Sequence, residues 1–307
     1  MITILPDFYS QFSCKAGACQ HTCCQGWEID IDDTTANRYL QMEGMLGDKM
    51  RQSITRQEDT YSFRLVDDER CPFLQSDGLC QIILHTSEEN LCNICAMHPR
   101  FFTYLEGVEL AGIGLCCEKT CELLLGCSAS LHFYIDGTSE TLDFSGLLNL
   151  PEIAKWLPKG CDKHATGIFH GIAPMTASQI LNIMEQTEPI DDSWCQLLDK
   201  IRHNEIVAEI SPSLPAALPP STQTTYDNIP HDHITYDRIC QYILYRQLEK
   251  LPYWTFTQLN SYAQLSTAFI YLAAHTTGDL PEALRLWSAQ IEYDTDNVEI
   301  ILENLQT

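Results

Sequence analysis

Cys14-Lys15-Ala16-Gly17-Ala18-Cys19-Gln20-His21-Thr22-Cys23-Cys24-Gln25-Gly26-Trp27 sets four thiols within eleven residues, close enough to converge on one centre without closing a long loop. Three more groups follow: Cys71-Pro72-Phe73-Leu74 with Cys80 beyond a Ser76-Asp77-Gly78 turn, Cys92-x2-Cys95 with His98-Pro99-Arg100, and Cys116-Cys117-x3-Cys121. Twelve of the fifteen cysteines therefore fall between Cys14 and Cys127. Cysteine packs well as a small hydrophobe, but ordinary burial does not cluster it this densely. Thiolates are soft ligands that suit zinc or iron–sulfur clusters and disfavour calcium and magnesium. Spacing leaves those two open. Structural zinc prefers two separated C-x2-4-C knuckles, a type to which Cys92-x2-Cys95 and Cys116-Cys117-x3-Cys121 come near, and adjacent Cys23-Cys24 is awkward around one tetrahedral ion. Cys127, Cys161, Cys195 and Cys240 read as plain buried thiols.

Around these groups the chain has the means to fold without disulfides. Its 307 residues are enough for two packed domains, and the 45% apolar share is ordinary. The 42 acidic residues against 18 basic ones give a formal charge of -24. That charge repels phosphate backbones and anionic headgroups, so neither nucleic acid nor a membrane surface is expected as a partner. No stretch approaches the ~20 apolar residues of a spanning helix. Met1 to Asp7 lacks the basic and apolar regions of a secretory leader. The expected location is the cytoplasm, where thiols stay reduced and bind metal or do chemistry.

Cysteine density breaks near residue 130, which gives the first expected boundary. Thr34 or Thr35 is placed to cap a helix carrying Tyr39, Met42, Leu46, Met50 and Ile54. Tyr61 to Val66 alternates as a strand does, and Phe101–Tyr104 with Val108–Ile113 reads as a hairpin about Glu106-Gly107. Helical periodicity follows over Thr176–Gln186, Asp191–Ile210, Ile234–Leu251, Phe256–Thr276 and Pro281–Leu305. Ser211 to Ser221 holds four prolines and cannot continue a helix. The expected fold class is α+β, mainly α: a Cys-rich metal-binding unit with short strands packed against a C-terminal helical bundle. Its expected divisions are 1-130, Cys-rich and metal- or iron–sulfur-binding; 131-210, mixed or helical; 211-222, a Pro-rich linker or loop; and 223-307, helical.

Several of these residues stand in a recognisable pattern. Tyr9-x2-Phe12-x-Cys14-x4-Cys19-x3-Cys23-Cys24-x-Gly26-Trp27 with Ile29-Asp30-Ile31-Asp32, Cys71-Pro72-Phe73-Leu74 with Gly78-Leu79-Cys80, Cys95-x2-His98-Pro99-Arg100, and Leu115-x-Cys117 together resemble the flagellin lysine-N-methylase family, which is akin to small zinc- or iron-chelating cysteine-motif proteins. The resemblance covers roughly the first 125 residues. It implies a protein-lysine N-methyltransferase that uses S-adenosylmethionine and a [4Fe-4S] cluster and acts on flagellin or another lysine-bearing protein. Carried over by position, it implies metal thiolates at Cys14, Cys19, Cys23, Cys24, Cys71, Cys80, Cys95 and Cys117, of which one four-iron cluster uses four. Cys92, Cys116 and Cys121 are additions to the family pattern, and His98 stands where an aromatic residue is usual.

The residues themselves add constraints. No G-x-G-x-x-G loop follows an expected strand, and the C-x3-C-x2-C run of radical enzymes is absent. Trp27 and Tyr104 are more ordinary as core aromatics than as a cation–π wall, and Arg100 as a structural pair than as a donor-carboxylate ligand. His98 reads as a loop histidine, and His231-Asp232-His233 as helix-capping chemistry. The competing reading is a non-catalytic zinc- or iron–sulfur-binding or redox-sensing protein whose C-terminal helices dock a partner. Zinc is the alternative metal in that case.

Overall fold

Among the described residues, short β-branched and apolar runs form eight strands: β1 (Ile2–Pro6), β2 (Asp30–Ile31), β3 (Ile54–Gln57), β4 (Thr60–Phe63), β5 (Arg100–Leu105), β6 (Val108–Ile113), β7 (His132–Ile135) and β8 (Thr141–Asp143). They make two sheets, one of order β5-β6-β1-β7-β8 and one of order β2-β4-β3. The computed structural model describes residues 1–127, 129–160, 175–204 and 233–305. The chain divides into two compact units, Ser13–Phe101 and the combination of Met1–Phe12 with Phe102–Thr307. The fold is mixed α and β with helices toward its C-terminus, as expected. The unit boundary lies near residue 101, whereas cysteine density falls near 130. The Pro-rich stretch 211-222 lies outside the described residues, as do Cys161, His231 and Asp232.

The smaller unit carries β2, β3 and β4 with four short helices: α1 (Asp33–Leu40), α2 (Gly44–Ser53), α3 (Gln81–His85) and α4 (Asn93–Met97). The single helix expected after Thr34 or Thr35 is two helices. Asp32, rather than a threonine, accepts the first-turn amide, from Thr35 at 2.9 Å. Gly44, at φ 78°, breaks the run before α2. Ile54, expected as the helix's last apolar residue, opens β3 and pairs with Phe63. The stripe still faces a core: Tyr39 and Met50 are fully buried with Ile29, Ile31, Phe63 and Phe73. Tyr39 stacks on Phe63 at 6.1 Å, and Phe63 meets Phe73 at 5.0 Å.

The larger unit is organised by β1, which the periodicity reading missed. Ile2, Thr3 and Ile4 pair in parallel with Val108, Glu109 and Leu110, and Ile4 to Pro6 pair antiparallel with Ile135 to Phe133. The expected hairpin is present as β5 and β6. Helices α5 (Glu118–Leu125), α6 (Phe144–Leu148), α7 (Pro151–Ala154), α8 (Ala177–Met184), α9 (Asp192–Arg202), α10 (His233–Gln247), α11 (Phe256–Thr277), α12 (Leu280–Trp287) and α13 (Thr295–Asn304) complete it among the described residues. Thr176 and Thr255 form capping boxes that start α8 and α11. Residues 281–305, expected as one helix, are interrupted. A π-turn at Ser288–Glu292 ends α12, and Asp294 caps a new start.

Buried tyrosines of α10 tie the helices to the sheet. The Tyr242 hydroxyl accepts from the Ile113 amide at 2.8 Å and donates to the Ile113 carbonyl at 2.7 Å. The Tyr245 hydroxyl lies 2.8 Å from the Ile4 carbonyl and 2.9 Å from that of Ala111. Arg246 on the same helix pairs with buried Glu292 at 3.3 Å and lies 4.6 Å from the Tyr293 ring centre. Burial opposes the Arg246 charge, but Glu292 outweighs it and holds the guanidinium ionised. No described helix is long and apolar enough to cross a membrane.

Candidate metal centre

Two loops of the smaller unit, residues 13–28 and 66–80, are locked together by backbone contacts. The Cys71 amide donates to the Cys24 carbonyl at 2.8 Å, and the Gly26 amide to Glu69 at 3.1 Å. Gln25 bridges Arg70, and its side chain donates to the Asp68 carbonyl at 3.1 Å. Glycine makes the closest approach possible: a Cβ on Gly17 would lie 2.5 Å from the Asp77 carbonyl oxygen, and one on Gly78 2.9 Å from the Gly17 Cα. This interlock sets Cys24 beside Cys71, although 47 positions separate them in sequence.

From Cys71 the chain turns at Gly78 and brings Cys80 to the start of α3, where Leu74 bridges Cys80. Cys92 stands at the start of α4 and Cys95 within it. Asp32 fixes this last piece. One carboxylate oxygen caps α1 through Thr35, and the other accepts from the Asn93 amide at 3.0 Å at the head of α4. Burial works against the Asp32 charge, yet the Asn93 and Thr35 amides prevail and draw its pKa below the usual value. The buried Tyr39 hydroxyl adds a bond to the Asn90 carbonyl at 2.6 Å, two residues before Cys92.

The result is one grouping of thiols against one core. Cys71 and Cys92 are core residues, 6% and 1% exposed, and Cys24, Cys80 and Cys95 pack against that core. Their charges are mutually felt: Cys71 interacts with Cys24 and Cys80, and Cys95 with Cys92, Cys24 and Cys71. Hydrogen bonding from Cys23 lowers Cys24 to about 7 against the effect of burial. The bond between Cys92 and Cys95 lowers Cys92 and raises Cys95, and burial raises Cys95 further. Burial also pushes Cys71 up to about 12 and raises Cys80, although the Ile82 and Ile83 amides at the head of α3 oppose the Cys80 shift.

Not every expected ligand joins this group. Cys14 is exposed and accepts from the Ala16 amide at 3.3 Å, and Cys19 is half-exposed on a surface cleft. Cys117 belongs to the larger unit, at the start of α5, where its neighbours include Cys116 and fully buried Cys121. Cys92, an addition to the family pattern, is fully integrated, and its spacing to Cys95 was the legible signal. His98 ends α4 and is lowered by burial. Trp27 and Arg100 are half-buried, while Tyr104 is 60% exposed rather than core. The buried-thiol reading fits Cys240, pushed up to about 12 by burial. Cys195 is exposed, because its position on α9 faces away from Trp194, Leu197 and Leu198.

Among the described residues, no three His, Cys, Asp or Glu side chains stand in ligating geometry. The donor set nonetheless fits a soft cation chemically. Several thiols share a low-dielectric rim where burial and neighbouring negative charge oppose their ionisation, and a bound metal supplies the positive charge that stabilises thiolates there.

No protein-family model matches the chain, and no solved structure matches it. Curated relatives do. The lysine-N-methylase of Salmonella typhimurium strain LT2 is 28% identical over 126 residues, 39% of this chain and 31% of that protein. The lysine-N-methylase of Salmonella choleraesuis gives the same identity and coverage. The flagellar biosynthetic protein FliU of Salmonella muenchen is 28% identical over 126 residues, which make up 75% of its length. The match spans about a third of the length of the two methylases. Through that shared stretch the chain is related to the flagellin lysine-methylase family.

Proposed function

We propose that this chain is an S-adenosylmethionine-dependent protein-lysine N-methyltransferase whose smaller unit holds a [4Fe-4S] cluster, with flagellin or another lysine-bearing protein as acceptor. The observation that carries the reading is the convergence of Cys24, Cys71, Cys80 and Cys95 on one core, joined by Cys92, in a chain with partial identity to lysine-N-methylases. Those thiols would hold the cluster, which supplies redox or Lewis-acid chemistry when bound. Cys14, Cys19 and Cys23 stay as further thiolate ligands of the proposal, whereas Cys117, in the larger unit, is a thiol apart from that cluster.

The chain's own contribution is electrostatic. Direct methyl transfer needs the acceptor lysine neutral, so a site must desolvate its ammonium or take its proton. A formal charge of -24 raises the local concentration of a cationic sulfonium and of a lysine-rich surface, and repels nucleic acid. A cytoplasmic setting keeps the thiols reduced.

A second reading, a zinc- or iron–sulfur-binding redox sensor without catalysis, is favoured by one observation: the matched stretch covers only 31% of each methylase. The two separate on one assay. Anaerobically purified chain, incubated with S-adenosylmethionine labelled in its methyl group and purified flagellin, is expected to transfer label to lysine. Metal content without any labelled lysine in flagellin or in other lysine-rich proteins supports the sensor instead.

A further inference from the structure

The interlocked loops enclose, on their outer side, a cleft of about 290 Å³. Arg70 and Asp68 are both among the residues that line it, together with Cys19, Thr22, Gln25 and Ser76. Opposite charges on one small surface normally pair. Here they do not: among the described residues the Asp68 carboxylate takes part in no hydrogen bond or ion pair, and the Arg70 guanidinium makes a single long contact, 3.5 Å, to the Gln75 carbonyl. A guanidinium has five N–H donors and a carboxylate two acceptor oxygens. The cleft therefore offers an anion-binding and a cation-binding group, both unspent, with neutral hydrogen-bonding groups around them.

The backbone that carries them is tightly fixed. Asp68 and Glu69 have φ of 59° and 55°, left-handed values uncommon outside glycine. They are pinned by the Gly26 amide on the Glu69 carbonyl, the Gln25 side chain on the Asp68 carbonyl, and the Arg70 carbonyl on the Val66 amide. Ala16 on the same cleft has φ 49°. Strain of this kind persists only where surrounding contacts enforce it.

We infer that this cleft binds the zwitterionic head of an α-amino acid, with Arg70 on its carboxylate and Asp68 on its ammonium. The ligand identity rests on the methyltransferase reading, in which S-adenosylmethionine carries that head group. The volume lies at the bottom of the ~300–1,000 Å³ range of ligand pockets, which suits an amino-acid end rather than a whole nucleoside. An acceptor lysine within a protein is a poor fit, because it brings a cation to Arg70 and no carboxylate.

The test is calorimetric titration of the full-length, anaerobically purified chain with S-adenosylhomocysteine, L-methionine, N-acetylmethionine amide and adenosine. The first two are expected to bind and the last two to bind at least tenfold more weakly. Arg70→Gln is expected to weaken S-adenosylhomocysteine at least tenfold. Asp68→Asn, which tolerates the left-handed backbone, is expected to weaken it about fivefold. Circular dichroism and thermal midpoints establish that both variants are folded, and Asp77→Asn serves as a neighbouring charge control. Binding of S-adenosylhomocysteine unchanged within twofold in both variants overturns the cleft while leaving the methyltransferase reading intact. Head-group binding lost in both variants, with no methyl transfer by the wild type, keeps the cleft and removes that reading. Absence of saturable binding by S-adenosylhomocysteine and methionine sinks the inference.

Discussion

At the scale of single residues, the thiols differ in what burial and neighbours do to them. Cys24, lowered to about 7 by Cys23, is the readiest nucleophile of the metal-free grouping, whereas Cys71, pushed up to about 12 by burial, stays protonated. Pulsed alkylation followed by mass spectrometry on metal-free protein is expected to label Cys24 with a midpoint near pH 7 and to leave Cys71 unlabelled until the unit opens. Cys23→Ala is expected to move the Cys24 midpoint up toward the ordinary thiol value of about 8.5. An unchanged midpoint would remove the hydrogen bond from the argument. The signs of the two shifts also set a stability window. Cys24, depressed in the folded state, adds stability above its unfolded pKa that is lost as pH falls toward 7. Cys71, raised, adds stability below its unfolded pKa that is lost as pH climbs toward 12.

Residue identity alone made the thiol chemistry legible but not the grouping. Cys92 departs from the family pattern, and only its x2 spacing to Cys95 marked it. Burial at 1% exposure beside Cys80 and Cys95 is a tertiary fact. Arg70 and Asp68 carried no signal, because one arginine and one aspartate in an acidic loop look like any solvated pair.

At the scale of elements, Asp32 couples two helices through two oxygens, and the α4 that it caps carries Cys95. Each lost cap costs about 0.5–2 kcal/mol. Asp32→Ala is therefore expected to lower unfolding free energy by about 1–3 kcal/mol in urea melts at pH 7. Its depressed pKa makes the contribution fully present above the unfolded carboxylate value of about 3.9 and lost as pH falls through the folded one. The gap between wild type and variant should thus begin to narrow below about pH 4 and close only below the folded pKa. A gap that persists there would point to packing rather than to capping. Capping also explains where periodicity failed. The apolar stripe from Tyr39 to Ile54 is continuous in sequence, but Gly44 at positive φ and the carbonyl of Met42, against which Gly47 packs, force a break. The same reading found α8 and α11 closely and the start of α9, because Thr176, Asp191 and Thr255 are strong caps beside clean apolar stripes, but α9 ends at Arg202 instead of running on toward residue 210. It missed β1, a five-residue strand ending in Pro6 whose partners lie more than a hundred residues away.

At the scale of the whole molecule, composition gave the acidic character and the Cys-rich region, but contacts draw the unit differently. Residues 102–127 keep four cysteines, Cys116, Cys117, Cys121 and Cys127, yet belong with Met1–Phe12 and the helical remainder. Sheet pairing decides this, since β6 is bonded to β1 and its end to Tyr242. The cluster-bearing unit proposed here is accordingly Ser13–Phe101, with its own core and its own thiols.

The most direct test is quantitation of iron, acid-labile sulfide and zinc in anaerobically purified full chain, beside Cys71→Ser and Cys95→Ser variants and an optical spectrum of each. About four irons and four sulfides per chain with visible absorption, lost in both variants while their C-terminal helices stay folded by circular dichroism, is the expected result. Stoichiometric zinc in a colourless protein, or a cluster retained in both variants, would contradict it.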